Sequence, residues 1–237
     1  MFDYFANPSR FNRAVKLVLP WLEIIAFGFL GYGLYLALLN SPADYQQGDA
    51  VRIMYIHVPA AWIALSSYLL LGICAFFFLI WRHPLAEIAA SAIAPIGAGF
   101  SALTLITGSL WGKPIWGVWW VWDGRLTSML VLFFFFIGYL ALSNAFDQSE
   151  RGARPAAILA LIGCINLPIV KFSVDWWNTL HQPASIMRSG GIAIDSSMLS
   201  PLFTLFIAFQ LFFIVIVLIR MQTVLNNRKI ESHILRG

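Results

Sequence analysis

The chain has 237 residues, 60% of them hydrophobic and only 11% charged, with a mean hydropathy of +0.79. Such a balance excludes a water-soluble globule and describes an integral membrane protein. The net charge of +4 follows from how such proteins distribute their cations across a membrane and gathers into no basic stripe suited to nucleic acid.

In chain order, residues 1–19 read as a cytoplasmic interfacial segment, with the basic, aromatic stretch Phe2 to Lys16 lying on the leaflet surface. The apolar stretch that follows is too long for a signal peptide and has no convincing small-x-small cleavage site, so it is expected to stay as the first helix. A hydrocarbon core of ~30 Å needs ~20 apolar residues of helix. Six stretches meet that length: Trp21 to Leu39, Ala60 to Trp81, Ile88 to Leu110, Leu126 to Phe146, Pro155 to Phe172 and Leu199 to Arg220. The short alternating strands of a membrane barrel are absent. The expected fold is an all-α integral membrane protein, a single domain over residues 1–237 with six transmembrane helices and a cytoplasmic tail at 221–237.

Five of the fifteen Lys and Arg residues (Arg52, Lys113, Arg125, Lys171 and Arg188) fall on one side of these spans, and the rest fall with the termini. The positive-inside bias therefore predicts cytoplasmic termini. Three segments then face outward, to the periplasm in a bacterium: the loop over 41–59, the segment over 111–125 between the third and fourth spans, and the loop over 173–198. The cytoplasmic turns are too short to hold a pocket.

The two cysteines, Cys74 and Cys164, lie within spans and read as small buried side chains. No C-x-x-C-H and no P-loop occurs, so neither covalent haem attachment nor nucleotide hydrolysis is expected of this chain. His83, in a cytoplasmic turn, and His233, in the tail, read as solvated. His57 and His181 stand in outer segments close to the membrane surface. Pro59 is expected to mark the start of the second span just after His57.

The outer segment between the third and fourth spans carries five tryptophans, Trp111, Trp116, Trp119, Trp120 and Trp122, and closes on Asp123, Gly124 and Arg125. Interfacial belts use an indole or two per helix end, so five together predict a surface for a ligand. With Pro114 as a start, a helix over 115–124 would align Trp116, Trp119 or Trp120, and Asp123 on one face. A flat aromatic wall flanked by two imidazoles suits an iron porphyrin with one axial ligand on each side. A tetrahedral zinc site would ask for three or four clustered ligands. The second, fourth and sixth spans start on the outer side and present their positive ends there. Arg125, with Arg52, is the expected receiver of haem carboxylates, and Arg188 and Lys113 are alternatives.

The run from Trp111 to Ser128, Trp-Gly-Lys-Pro-Ile-Trp-Gly-Val-Trp-Trp-Val-Trp-Asp-Gly-Arg-Leu-Thr-Ser, resembles the signature of the WWD family of haem-handling membrane proteins. The length and six spans are similar to the CcmC branch, from bacterial cytochrome c maturation (system I). Met54 to Trp62 and Asp175 to Ser185 share in the resemblance. It implies a protein of the bacterial inner membrane that holds haem b, non-covalently and transiently, at the periplasmic face. His57 and His181 would be the axial iron ligands, and 111–125 the wall.

The resemblance also implies transfer of haem to a CcmE-like chaperone, beside a CcmD-like small membrane protein and CcmA/CcmB-like ABC transporter subunits. Any ATPase activity would belong to those partners, and no enzymatic step to this chain. An alternative is a transporter subunit moving haem or another amphipathic solute across the bilayer, although the spans carry almost no internal charge. A cytochrome b with haem inside the bilayer would need histidines within the spans. Asp44, Gln47, Asp49 and Arg52 are candidate docking residues.

Overall fold

The computed structural model describes residues 7–145, 149–182, 185–186 and 190–234. Among them it is all-helical, with one isolated bridge between Asp44 and Gly48 and six helices long and apolar enough to cross a membrane. The chain is a multi-pass membrane protein. Helix α1 spans Pro8–Tyr35 and runs on through a π-helical turn, Leu36–Asn40. A 3-10 turn, Asp49–Ile53, winds directly into α2, Met54–Trp81; α3 is Pro84–Trp116 and α4 Gly124–Ser143. The fifth span is divided between α5, Ser149–Gly163, and α6, Asn166–Trp176, and α7 is Ser196–Ile234.

Most boundaries have a local cause. At the start of α1, Asn7 Oδ1 accepts from the Ser9 and Arg10 amides at 2.9 and 3.3 Å, ahead of Pro8 in the first turn. Residues 8–19 are therefore the opening turns of α1 and not a separate element, and residues 221–234 likewise continue α7. Helix α2 starts at Met54, earlier than the expected Ala60, because the 3-10 turn feeds it; His57 is thus helical and Pro59 lies inside the helix. His57 therefore falls within a helix long and apolar enough to cross a membrane.

Helix α3 continues through Trp111 and Trp116 and stops at Gly117, whose φ of +78° is a left-handed cap that glycine adopts without steric cost. The helix expected over 115–124 does not form. Residues 117–123 are irregular until Asp123 caps α4 by accepting from the Leu126 amide at 2.8 Å. Phe146, the expected end of the fourth span, lies outside the described residues.

In the fifth span Pro168 has no N–H to offer the Cys164 carbonyl. The backbone tightens to bonds three residues apart, Cys164 to Leu161, Ile165 to Ile162 and Leu167 to Cys164. Asn166 Nδ2 then donates to the Ser128 carbonyl at 2.8 Å and ties the break to α4.

The packed middle of the bundle is built on Tyr68, Leu71, Leu132 and Phe136, all fully buried. Gly97 lets α3 approach α2 and α4, since a β-carbon there would collide with Phe136 and Ser67. Cys164 packs on Gly72, and both cysteines are free thiols. At one end Phe11 packs on Leu85, Ile88, Met221 and Leu225, and Gln222 Nε2 donates to the Asn12 carbonyl. The start of α1, the start of α3 and the end of α7 therefore share one end. The tryptophan segment, the loop around 41–53 and the described parts of the loop after α6, residues 177–182 and 190–195, share the other.

Candidate functional site

At the tryptophan end the bundle opens into a cavity of about 1340 Å³, lined among others by His57, Trp111, Trp116, Arg125, Lys171 and His181. A second, mainly apolar chamber of about 560 Å³ lies beside it, walled by α2, α3, α4 and α6 through residues such as Trp62, Leu65, Leu105, Met129 and Pro168. His57, His181, Arg125 and Lys171 line both. The two histidines thus stand where the spaces meet, and their combined size accommodates a large flat ligand, since ordinary pockets run to ~300–1,000 Å³.

His57 points from the first turns of α2 toward α3. Its Nδ1 lies 3.1 Å from Thr107 Oγ1, and the Thr107 hydroxyl donates its proton to the Leu103 carbonyl at 2.7 Å. With that hydroxyl placed to donate along its own helix and to accept from His57, and with the Thr104 carbonyl also accepting from the ring, the arrangement favours the imidazole proton on Nδ1. Gly108 makes the room: a β-carbon there would come 3.1 Å from His57 Cε1. Trp111 meets the same imidazole edge-on with ring centres 5.6 Å apart. Thr104, Thr107, Gly108 and Trp111 recur at helical spacing, so one face of α3 supports one histidine.

His181 is held differently. It lies on the loop after α6, its ring edge-on to Trp116 at 4.8 Å, and its Nδ1 lies 3.3 Å from Asp123 Oδ2. A carboxylate only accepts, so the proton again sits on Nδ1 and Nε2 is free. Thr179 Oγ1 donates to the same Asp123 oxygen and accepts from the His181 amide at 3.1 Å. Burial raises the Asp123 carboxyl, but the bonds from Thr179, the Leu126 amide and His181 outweigh it and hold the group below its ordinary value. Burial also lowers His181 and the Arg125 guanidinium adds to this, against the raising effect of Asp123; the net direction is down, so the imidazole is neutral at neutral pH.

Around this pair the tryptophans divide. Trp111 donates its indole N–H to Gln47 Oε1 at 2.9 Å, and Trp116 backs His181. Trp120 lines the apolar chamber edge-on to Trp122, with its Nε1 buried and without an acceptor among the described residues. Trp119 and Trp122 are 56% and 75% exposed and line neither space, Trp119 lying under the Lys113 ammonium. The segment presents separate indoles to separate surfaces.

Of the cations, Arg125 reaches the site, steadied by Ser173 Oγ and the Lys171 carbonyl, each at 3.2 Å. Arg52 does not line either space; it pairs with Asp49 at 3.1 Å and donates to the Leu38 carbonyl at the π-helical turn. Lys113 is turned to the Gly117 carbonyl at 2.9 Å, and Arg188 lies outside the described residues. The docking candidates are engaged locally: Asp44 accepts from the Gln46 and Gln47 amides, Gln47 from Trp111, and Asp49 from Arg52. Lys171 and Thr107 were not singled out by the sequence. Thr107 was discoverable from its helical spacing with Gly108 and Trp111.

Among the described residues no cluster of three or more His, Cys, Asp or Glu side chains is placed to hold a metal ion by itself. Two imidazoles at a cavity, an apolar chamber, a cationic rim and an indole N–H without a partner among the described residues suit a planar, carboxylate-bearing metal complex.

The model of a family described as heme exporter protein C matches residues 1–236. The chain is 52% identical over 227 residues to "Heme exporter protein C" of Bradyrhizobium diazoefficiens, covering 96% of this chain and 86% of the relative. With "Heme exporter protein C" of Escherichia coli K12 the identity is 45% over 220 residues, covering 93% and 89%. A ccmC-like mitochondrial cytochrome c biosynthesis protein of Marchantia polymorpha is 49% identical over 176 residues, 74% of each chain.

Proposed function

Because this chain belongs to the heme exporter protein C family, we propose that it binds haem b at the tryptophan end of the bundle and hands it on for cytochrome c maturation. His57 and His181 supply the two axial nitrogens. The observation that carries this reading is a shared geometry: each Nδ1 lies within hydrogen-bond reach of an oxygen, Thr107 Oγ1 at 3.1 Å and Asp123 Oδ2 at 3.3 Å, an arrangement that leaves each Nε2 to serve iron. The porphyrin's apolar body fits the chamber walled by Trp62, Leu65 and Met129, and its carboxylates find Arg125 and Lys171 at the rim.

In this reading the tryptophan end faces the periplasm, across the bacterial inner membrane from both termini, as the Lys and Arg distribution favours. Haem is cargo, held non-covalently and transiently, and passes to a CcmE-like chaperone. A CcmD-like small protein and CcmA/CcmB-like ABC transporter subunits complete the assembly, and ATP hydrolysis belongs to them. The chain itself positions the cargo and excludes water from its apolar edge, with no chemical step on its own side chains.

The test is the absorption spectrum of the detergent-purified protein loaded with haem. A b-type Soret band is expected, strongly reduced in His57→Ala and in His181→Ala and abolished in the double variant. Equal haem occupancy in wild type and both single variants would refute the ligand assignment.

A further inference from the structure

The two imidazoles are backed unequally. Behind His181 stands an anion, Asp123, fixed by the Leu126 amide at 2.8 Å and by the Thr179 hydroxyl. Behind His57 stand neutral groups, the Thr107 hydroxyl, placed to donate to the Leu103 carbonyl, and the Thr104 carbonyl. A carboxylate accepting from Nδ1–H pushes electron density onto the imidazole and makes Nε2 the stronger donor, and a hydroxyl does so far less. Arg125 lines both spaces beside both histidines, so it does not account for the difference. Loop placement does not loosen His181 either, since Thr179 ties both its amide and its carboxylate partner to the start of α4.

We propose that the two axial positions differ in strength, that His57 is the ligand released first when haem is handed on, and that Asp123 and Thr107 are the positioning residues that set this order. The inference rests on the haem-binding reading above. In the release step the iron–Nε2 bond of His57 breaks and its electron pair stays on nitrogen as a free neutral imidazole. Iron keeps its oxidation state, and the vacated position takes water or a ligand from the acceptor. His181 keeps the cargo in place meanwhile, so the haem is never free.

The experiment uses the haem-loaded, full-length protein, reduced and exposed to carbon monoxide, which replaces the weaker axial ligand and reports the donor strength of the one that stays. The expected C–O stretch shifts upward in Asp123→Asn, which keeps the helix cap while removing the charge, and is unmoved in Thr107→Val. A second measurement does not depend on those variants folding well: His57→Gly is expected to hold haem on the order of tenfold more tightly than His181→Gly, the lower edge of what a supporting outer carboxylate contributes. Added free imidazole should restore the six-coordinate spectrum in His57→Gly. A band that follows Thr107→Val and ignores Asp123→Asn, or the reverse ranking of the glycine variants, overturns the inference while leaving haem binding intact. A wild-type preparation with no Soret band removes both.

Discussion

The two ends of this bundle are made from the same helices and treat their ionised groups in opposite ways. Where the chain begins and finishes, the Arg228 guanidinium donates to both Glu87 oxygens, at 2.7 and 2.6 Å, over a packed layer of Leu85, Ile88, Met221 and Leu225. There a cation and an anion from α7 and α3 neutralise each other and lock two helices. At the tryptophan end Arg125, among the described residues, hydrogen-bonds to neutral acceptors, Ser173 and the Lys171 carbonyl, with Asp123 and Asp175 near but not bonded to it, and faces a cavity. Among the described residues, His57 and His181 turn Nδ1 to a partner in the protein, and Trp120 keeps an indole N–H with no acceptor. A buried donor left unpaired costs about 1–3 kcal/mol. Polar groups that a protein completes by itself hold the fold, and groups it leaves incomplete mark where something else binds.

The comparison breaks most visibly at Gly108. Replacing it with Val forces a branched side chain into the space of the His57 ring, whose Cε1 would lie 3.1 Å from the first added carbon. Haem affinity should fall about 10–100-fold, the range seen when the support of a metal-binding histidine is removed. Soret titration of the purified variant measures it, and unchanged affinity would mean that His57 does not bind in this pose. Next in size is Arg125→Ala, which removes a charge-assisted contact of ~1.5–3 kcal/mol to a haem carboxylate and so weakens retention roughly tenfold or more. The iron ligands remain, so the spectrum should keep its six-coordinate shape while occupancy drops. Haem dimethyl ester, which lacks the carboxylates, should bind wild type and variant alike.

How much of this was legible in the sequence depended on how local each cause is. Span number follows from hydropathy over ~20 residues, and all six spans are present in the structure. Span ends depend on single residues. The 3-10 turn before Met54 carried α2 past the expected start, and Gly117 ended α3 where a helix over 115–124 was expected. Pro168 split the fifth span although its apolar run is unbroken. In the site, His57, His181, Trp116 and Arg125 were singled out from residue type and depth. What pairs with them was not readable, because Asp123 and His181 are 58 residues apart and Thr107 and His57 are 50 apart. Arg52 had the right charge and the right loop, but a nearer carbonyl and Asp49 hold its guanidinium.

The opposite end offers the control. Glu87→Gln should lower thermal stability by about 1–2 kcal/mol, between the value of an exposed pair and that of a buried one, since the two side chains are 16% and 39% exposed. Haem content and spectrum should not change. A variant that loses haem in proportion to its stability would show the two ends to be coupled, and the contrast drawn between them would fail.

The smallest expected effect is on pH dependence, and its sign follows from His181. With Nδ1–H committed to Asp123, iron and proton compete for the same Nε2 lone pair. Burial lowers the imidazole below its ordinary value of 6.5, so it stays neutral where a solvated histidine would already be half charged. Because the folded value is the depressed one, His181's contribution to stability is complete above 6.5 and is lost as pH falls from there toward the folded value. Haem occupancy should accordingly be flat from neutral pH through 6.5 and decline only in more acid solution. Asp123, held below its own ordinary value, remains an anion across that window. Asp123→Asn removes the one influence that raises His181, so its release edge should move to still lower pH even though it binds haem more weakly. Soret amplitude followed across a pH series decides the matter: a wild-type edge at or above 6.5, or an edge in Asp123→Asn that moves upward, contradicts a buried, carboxylate-backed ligand at position 181.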